Sequence, residues 1–194
     1  MVRPWDPTST VVAQRVIAII RSARPDLDVE HIGSTAVPGL PGKGIVDLGT
    51  EADPEEIPAI TDAMYELGFG PQPGPNPWPS SRPMHVGSVD EDGVEYRVHF
   101  HVQPRGTGDL DKDLAFRDAL RADPALVEGY ARIKQEIVDR AGGPLDGALY
   151  QAAKGGWILA IYDRLGIDHP AHVGGGPIGE VDPPEQQSET GEPT

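Results

Sequence analysis

Between Val94 and Val102 the residues alternate without interruption: Val94, Tyr96, Val98, Phe100 and Val102 take one parity, Glu95, Arg97, His99 and His101 the other. Successive side chains of a strand point to opposite faces, so this segment is a β-strand with one face in a core and a polar face turned elsewhere. Met84 to Val89 reads as a second strand, and the intervening Glu91-Asp92-Gly93 is an Asp-Gly hairpin signal that joins the two antiparallel. A chain built around such a pair must cover the apolar face with other elements.

Those elements are legible on either side. Val11, Val12, Val16, Ile19 and Ile20 recur at helical spacing within Ser9 to Ala23, and Pro25 stops the run. Val29 to Ile32 and Ile45 to Leu48 have the apolar, β-branched density of buried strands, separated by a loop rich in Pro and Gly. Asp53-Pro54-Glu55-Glu56 has the features of a helix start, followed by the stripe Ile57, Ile60, Met64 and Leu67, with Gly68 at its end. Residues 70 to 83 are so rich in proline that they belong to a surface loop or lid, because proline supplies no N–H to a ladder. From Asp109 onward the pattern turns helical, with three helices expected: Leu114 to Arg121, Pro124 to Arg140 and Leu145 to Leu165. The expected architecture is α+β, a mixed sheet flanked by helices with a helical C-terminal segment.

The 194 residues fit one domain, assigned to 1–172. Beyond it, 173–194 is acidic and polar, with Glu180, Asp182, Glu185, Glu189 and Glu192 and no base, and is expected to be disordered. A net charge of −15 disfavours non-specific nucleic-acid binding, which depends on Lys and Arg displacing counterions. With no cysteine there are no disulfides, thiolate metal sites or thiol nucleophile. No apolar run approaches the roughly 20 residues that span a bilayer, and the first residues lack the apolar core of a signal peptide. The expectation is a cytoplasmic protein with no membrane partner, its oligomeric state left open.

The segment with most chemical content is His31 to Glu51. Gly33-Ser34 opens a turn, Lys43 lies in the following loop, and Asp47 stands inside an apolar strand. A carboxylate in such a place costs several kcal/mol unless it is paired or bound to a metal, so Asp47 is a candidate ion ligand. Glycine lets a backbone approach a phosphate closely, and amides with a hydroxyl bind its oxygens while a nearby carboxylate holds a cation on the same phosphates.

This arrangement resembles the nucleotidyltransferase superfamily, in which a Gly-Ser turn is followed about a dozen residues later by an acid-bearing strand. The fuller string, with His31, Thr35, Val37-Pro38-Gly39-Leu40, Lys43 and Asp47, is similar to the GrpB family (UPF0157). So are His99-Phe100-His101-Val102, Phe116 to Arg121, Tyr130 with Lys134, and Tyr150 with Lys154 ahead of Trp157-Ile158. The resemblance spans about residues 5 to 165. It implies a nucleotidyltransferase-like mixed sheet, in a family whose members also occur fused to dephospho-CoA kinase. It further implies a divalent cation, Mg or Mn, with Zn or Ni favoured by the histidines, and a nucleoside triphosphate or other small anionic ligand.

The expected site has Asp47, Lys43 and His101 in catalysis. Gly33, Ser34, Thr35, Lys43, Arg97 and Lys154 are the expected phosphate contacts, and Asp47, His99 and His101 the metal ligands. Two residues beyond Asp47, where the superfamily has a second acid, this chain has Gly49; Glu51 is the next residue on that face. Histidine in place of the third acid suits zinc, manganese or nickel better than magnesium. Read singly, Gly33-Ser34 is an ordinary turn and Lys43 a solvated cation. Arg117 and Arg121, one turn apart, form a solvated or ion-paired helix face.

Three functions fit this pattern. One is metal-dependent transfer of a nucleotidyl or phosphate-linked group to a small-molecule or protein acceptor. The second is a non-catalytic module that binds a nucleotide or a coenzyme A portion. The third is a histidine-carboxylate metal site used for hydrolysis or metal binding.

Overall fold

The computed structural model describes residues 2–74, 77–141 and 147–169. The expected disordered tail at 173–194 lies outside them, as does the expected helix start at Leu145. The elements in chain order are α1 (Thr8–Ala23), β1 (Glu30–Ile32), a single 3₁₀ turn (Ser34–Ala36), β2 (Val46–Ala52), α2 (Ile57–Glu66), β3 (Gly70–Pro71), β4 (Met84–Glu91), β5 (Val94–Pro104), α3 (Asp109–Ala122), α4 (Pro124–Ala141) and α5 (Gly147–Leu165).

The five strands form one mixed sheet in the order β1-β2-β5-β4-β3. β2 and β5 are parallel, with Asp47 beside His99, Gly49 beside His101 and Glu51 beside Gln103; the other neighbours are antiparallel. The hairpin between β4 and β5 turns at Asp92 and Gly93, both with positive φ as a tight turn that matches strand twist requires.

Alternation in β2 and β5 divides the sheet into two faces. Val46, Leu48, Val98, Phe100 and Val102 are fully buried beneath α1 and α2, where they meet Val12, Val16, Ile20, Ile60 and Met64. Each such side chain contributes about 1.5–3 kcal/mol relative to exposure. The opposite parity of the same strands, Asp47, Gly49, Glu51, His99, His101 and Gln103, makes the second face. A separate apolar cluster joins Val37 and Leu40 from the loop after the 3₁₀ turn to Leu120, Leu126, Tyr130, Ile158 and Tyr162 of α3 to α5. That cluster anchors the helical segment next to the polar face of the sheet.

Several boundaries differ from the sequence reading. α2 begins at Ile57, with Pro58 in its first turn, and not at Pro54. The Asp53 carboxylate instead accepts a hydrogen bond from Arg105 Nε at 2.9 Å, just past the end of β5. α3 reaches back from Leu114 to Asp109, where the helical pattern of the sequence sets in, with Asp109 and Asp111 in the first turn facing the positive end of the helix dipole. Within the proline-rich segment, Gly70 and Pro71 form a two-residue edge strand against β4, a position proline tolerates.

Candidate functional site

The 3₁₀ turn after β1 is held from several directions. His31 and Thr35 are buried, and the Thr35 hydroxyl donates to the Ile45 carbonyl at 3.0 Å. A hydroxyl has one proton, so His31 Nε2, 3.0 Å from the same oxygen, is the protonated ring nitrogen and donates to it. Burial holds His31 near 4, with Asp47 opposing and Arg121 and Arg117 adding to the depression, so the ring is neutral. Trp5 Nε1 donates to the Thr35 carbonyl. From α3, Arg117 donates to the His31 carbonyl and to Glu30, and Arg121 donates to the Ala36 carbonyl. The turn is therefore clamped at both ends by one helix.

Asp47 stands against this turn. A Cβ on Gly33, whose φ is +70°, would lie 2.5 Å from Asp47 Oδ2. Across the β2/β5 pair, His99 Nδ1 and His101 Nε2 lie 3.4 and 3.6 Å from Asp47 Oδ1. One ligand atom from each of the three residues falls within 4.8 Å of the others, a spacing that a single ion can bridge. Burial pushes the Asp47 carboxyl up, but the hydrogen bonds and charge of His101 and His99 outweigh it and hold the group well below the usual carboxylate range. One carboxylate and two imidazoles form a donor set that fits manganese, zinc or nickel and fits magnesium poorly.

Gly49 does not leave an empty slot. A Cβ there would lie 2.9 Å from Leu110 Cδ1 and 3.0 Å from Ile32 Cδ1, so the position of the expected second acid is occupied by apolar atoms. Glu51 does not take its place: it is absent from the Asp47 cluster among the described residues. Burial and the charge of Asp111 raise its carboxyl.

Between this face and the helical segment is a cavity lined by Gly33, Ser34, Lys43, Asp47 and His101 together with side chains of α3, α4 and α5. Its α4 and α5 side is cationic. Lys134 is buried, donates to the Pro41 carbonyl at 2.9 Å and lies 4.2 Å from the centre of the Tyr130 ring. Lys43 and Lys154 lie 4.4 and 5.5 Å from the centre of the Tyr150 ring. Burial lowers Lys134 to about 7, helped by Lys154 and opposed by Asp47; burial lowers Lys154 to about 8, opposed by Asp47 and helped by Lys43.

Of the expected site residues, Gly33, Ser34, Lys43, Asp47, His101 and Lys154 line this cavity, and His99 joins through Asp47. Two do not. Thr35 turns its hydroxyl inward to brace the loop. Arg97 is exposed and outside the cavity lining, because β2 pairs with β5 only from Val98 onward and Arg97 projects past its end. The sequence reading assigned no site role to Lys134, Gln103, Asp113 or Trp78, all of which line the cavity. Lys134 carried a usable signal: it falls on the apolar stripe of α4, one turn after Tyr130.

The five-stranded mixed sheet, its flanking helices and the Gly-Ser turn beside a strand carboxylate define a nucleotidyltransferase-like α+β fold. Among solved structures, the chain is similar to the conserved protein GrpB from Enterococcus faecalis, with a TM-score of 0.65 and 22% identity over 84% of this chain and 96% of that one. It is also similar to the Cid1 poly(U) polymerase in its MgGTP-bound form, with a TM-score of 0.51 and 18% identity over 82% of this chain and 51% of that one. A UPF0157 protein of Streptomyces coelicolor is 33% identical over 153 residues, 76% of this chain and 74% of its own. The GrpB protein family model matches residues 1–164, and the chain belongs to that family.

Proposed function

We propose that this GrpB protein transfers a nucleotidyl or other phosphate-linked group from a nucleoside triphosphate to a small-molecule or protein acceptor. The observation that carries the reading is the convergence of Asp47, the Gly33-Ser34 turn and the Lys43, Lys134 and Lys154 ammonium groups on one cavity. A triphosphate needs a cation at one side and hydrogen-bond donors at the other, and this cavity offers a ligand set for the first and lysines for the second.

In this reading the Ser34 hydroxyl and the three lysines hold the triphosphate oxygens. Asp47, His99 and His101 would hold a divalent cation, which supplies Lewis-acid stabilisation to charge on the phosphate. An acceptor hydroxyl oxygen forms the new bond to the α-phosphorus, the bond to the departing oxygen breaks, and pyrophosphate leaves. The acceptor's proton leaves with the pyrophosphate. No side chain forms a covalent intermediate.

A second reading is a nucleotide- or coenzyme A-related binding module without turnover. The apolar filling of the Gly49 position favours it, because β2 then offers one carboxylate to a cation where a two-ion site needs more. Calorimetric titration with ATP, GTP and CTP, each with Mg²⁺ or Mn²⁺, separates the readings when paired with a pyrophosphate-release assay. Binding with release supports transfer, binding without release supports the module, and no binding at millimolar nucleotide removes both.

A further inference from the structure

Part of the cavity lining has a chemistry opposite to that of the lysines. Gln103 belongs to it, on β5 two residues past His101, and is only 2% exposed. Its Nε2 donates to Asp113 Oδ2 at 2.8 Å. Its Oε1 is buried and has no hydrogen-bond partner among the described residues. Leaving a buried acceptor unpaired costs about 1–3 kcal/mol, so an orphan of this kind on a cavity wall marks a place where a ligand supplies the missing donor.

The charged group bonded to Gln103 is an acid. Asp113 lines the cavity and has no cation within ion-pair distance among the described residues. Arg82, on the same wall, is already committed: its Nη1 lies 2.6 Å from Asp109 Oδ2, with both side chains largely buried. Trp78 completes the wall, its ring edge-on to His101 at 5.5 Å and 5.2 Å from the Arg82 guanidinium carbon. An unpaired carbonyl oxygen, a carboxylate with no ion-pair partner among the described residues and an aromatic ring together suit an ammonium-bearing ligand better than an acidic one.

We propose that this part of the cavity binds the acceptor, and that the acceptor is a small molecule carrying an amino group held by Gln103 Oε1 and Asp113 beside the Trp78 ring. The proposal deepens the transfer reading and rests on it for the word acceptor, but the binding it describes needs neither nucleotide nor metal. It also gives the cavity a direction, with phosphates toward α4 and α5 and the amine toward the end of β5.

The test is binding to the full chain in the presence of chelator and without nucleotide, read by saturation-transfer NMR and calorimetry. Glucosamine and spermidine are the amine probes; glucose and glucuronate are the uncharged and acidic comparators. At least one amine should bind at least tenfold more tightly than glucose, with glucuronate weaker still. Gln103→Leu and the isosteric Asp113→Asn should each weaken amine binding at least tenfold, while Arg97→Ala, exposed and outside the cavity lining, leaves it unchanged. Should Gln103→Leu fail to fold, Asp113→Asn alone carries the comparison. The proposal is overturned if neither amine binds, if glucuronate binds as well as the amines, or if Gln103→Leu and Asp113→Asn both bind normally. Amine binding by a protein that ignores ATP would leave this subsite standing and remove the transfer reading alone.

Discussion

Gly33 and Asp47 are packed so closely that a methyl group on the glycine would lie 2.5 Å from the carboxylate oxygen Oδ2. The glycine backbone, at φ +70°, is in a region that L side chains rarely adopt. The turn and the acid are thus one unit. The backbone comes within reach of whatever the carboxylate binds only because no side chain stands between them.

Gly33→Ala should therefore damage both partners. Strain at positive φ adds to a contact the carboxylate must retreat from, and a loss of about 1–3 kcal/mol in stability is expected. Manganese affinity, measured by calorimetry, should fall at least tenfold, because Asp47 can no longer keep its place opposite His99 and His101. A variant with wild-type stability and metal affinity would show that the turn and the acid are independent.

Much of this unit was legible in the sequence because its signals are local. Alternation along Val94 to Val102 put His99 and His101 on one face, and the isolation of Asp47 in an apolar strand marked it as needing a partner. What escaped depended on contacts between distant segments. α2 starts past Pro54, and Asp53, beside the expected start, pairs with Arg105 from beyond β5. Arg97 fell outside the site because β2 begins opposite Val98, a register no local pattern specifies. Thr35, read as a phosphate contact, spends its hydroxyl on Ile45. Lys134 reaches the site only because α4 docks on the loop around Pro41.

Restoring the missing acid should fail unless space is made for it. In Gly49→Asp the new Cβ meets Leu110 and Ile32, and a second carboxylate is buried near Asp47. A destabilisation of about 2–4 kcal/mol is expected, with Gly49→Ala milder at about 1 kcal/mol. Adding Leu110→Ala opens the pocket, and the double variant should bind Mg²⁺ at least tenfold more tightly than the parent. Equal magnesium affinity in parent and double variant would place the barrier elsewhere than at this contact.

Two buried imidazoles should make the fold sensitive to mild acid. Burial lowers His31 to about 4, and burial with the nearby His101 lowers His85 to about 4, from 6.5 for each. Between those values the unfolded chain takes up protons that the folded chain refuses, so stability rises with pH across the window and levels off above about 7. The slope approaches about 1.4 kcal/mol per pH unit for each histidine. Denaturant unfolding from pH 7.5 to 4.5, with chelator present, should show this decline. His85→Leu should reduce the slope by about half, and an unchanged slope would mean that His85 is charged or accessible in the folded state.

Anion binding should be coupled to proton uptake through the lysines. With Lys134 lowered to about 7 and Lys154 to about 8, both are largely neutral in the free protein by pH 9 and largely charged only below pH 7. A triphosphate beside them stabilises the ammonium forms, so its binding raises both values and draws protons from the buffer. ATP affinity should therefore fall as pH rises from 7 to 9, beyond the change expected from the nucleotide's own titration, which is complete in that range. At pH 8 the apparent binding enthalpy should differ between two buffers of different ionisation enthalpy. Lys134→Met should shrink that difference while weakening binding at least tenfold at pH 7. Equal enthalpies in both buffers, with tight binding retained, would mean that the phosphates do not meet these two ammonium groups.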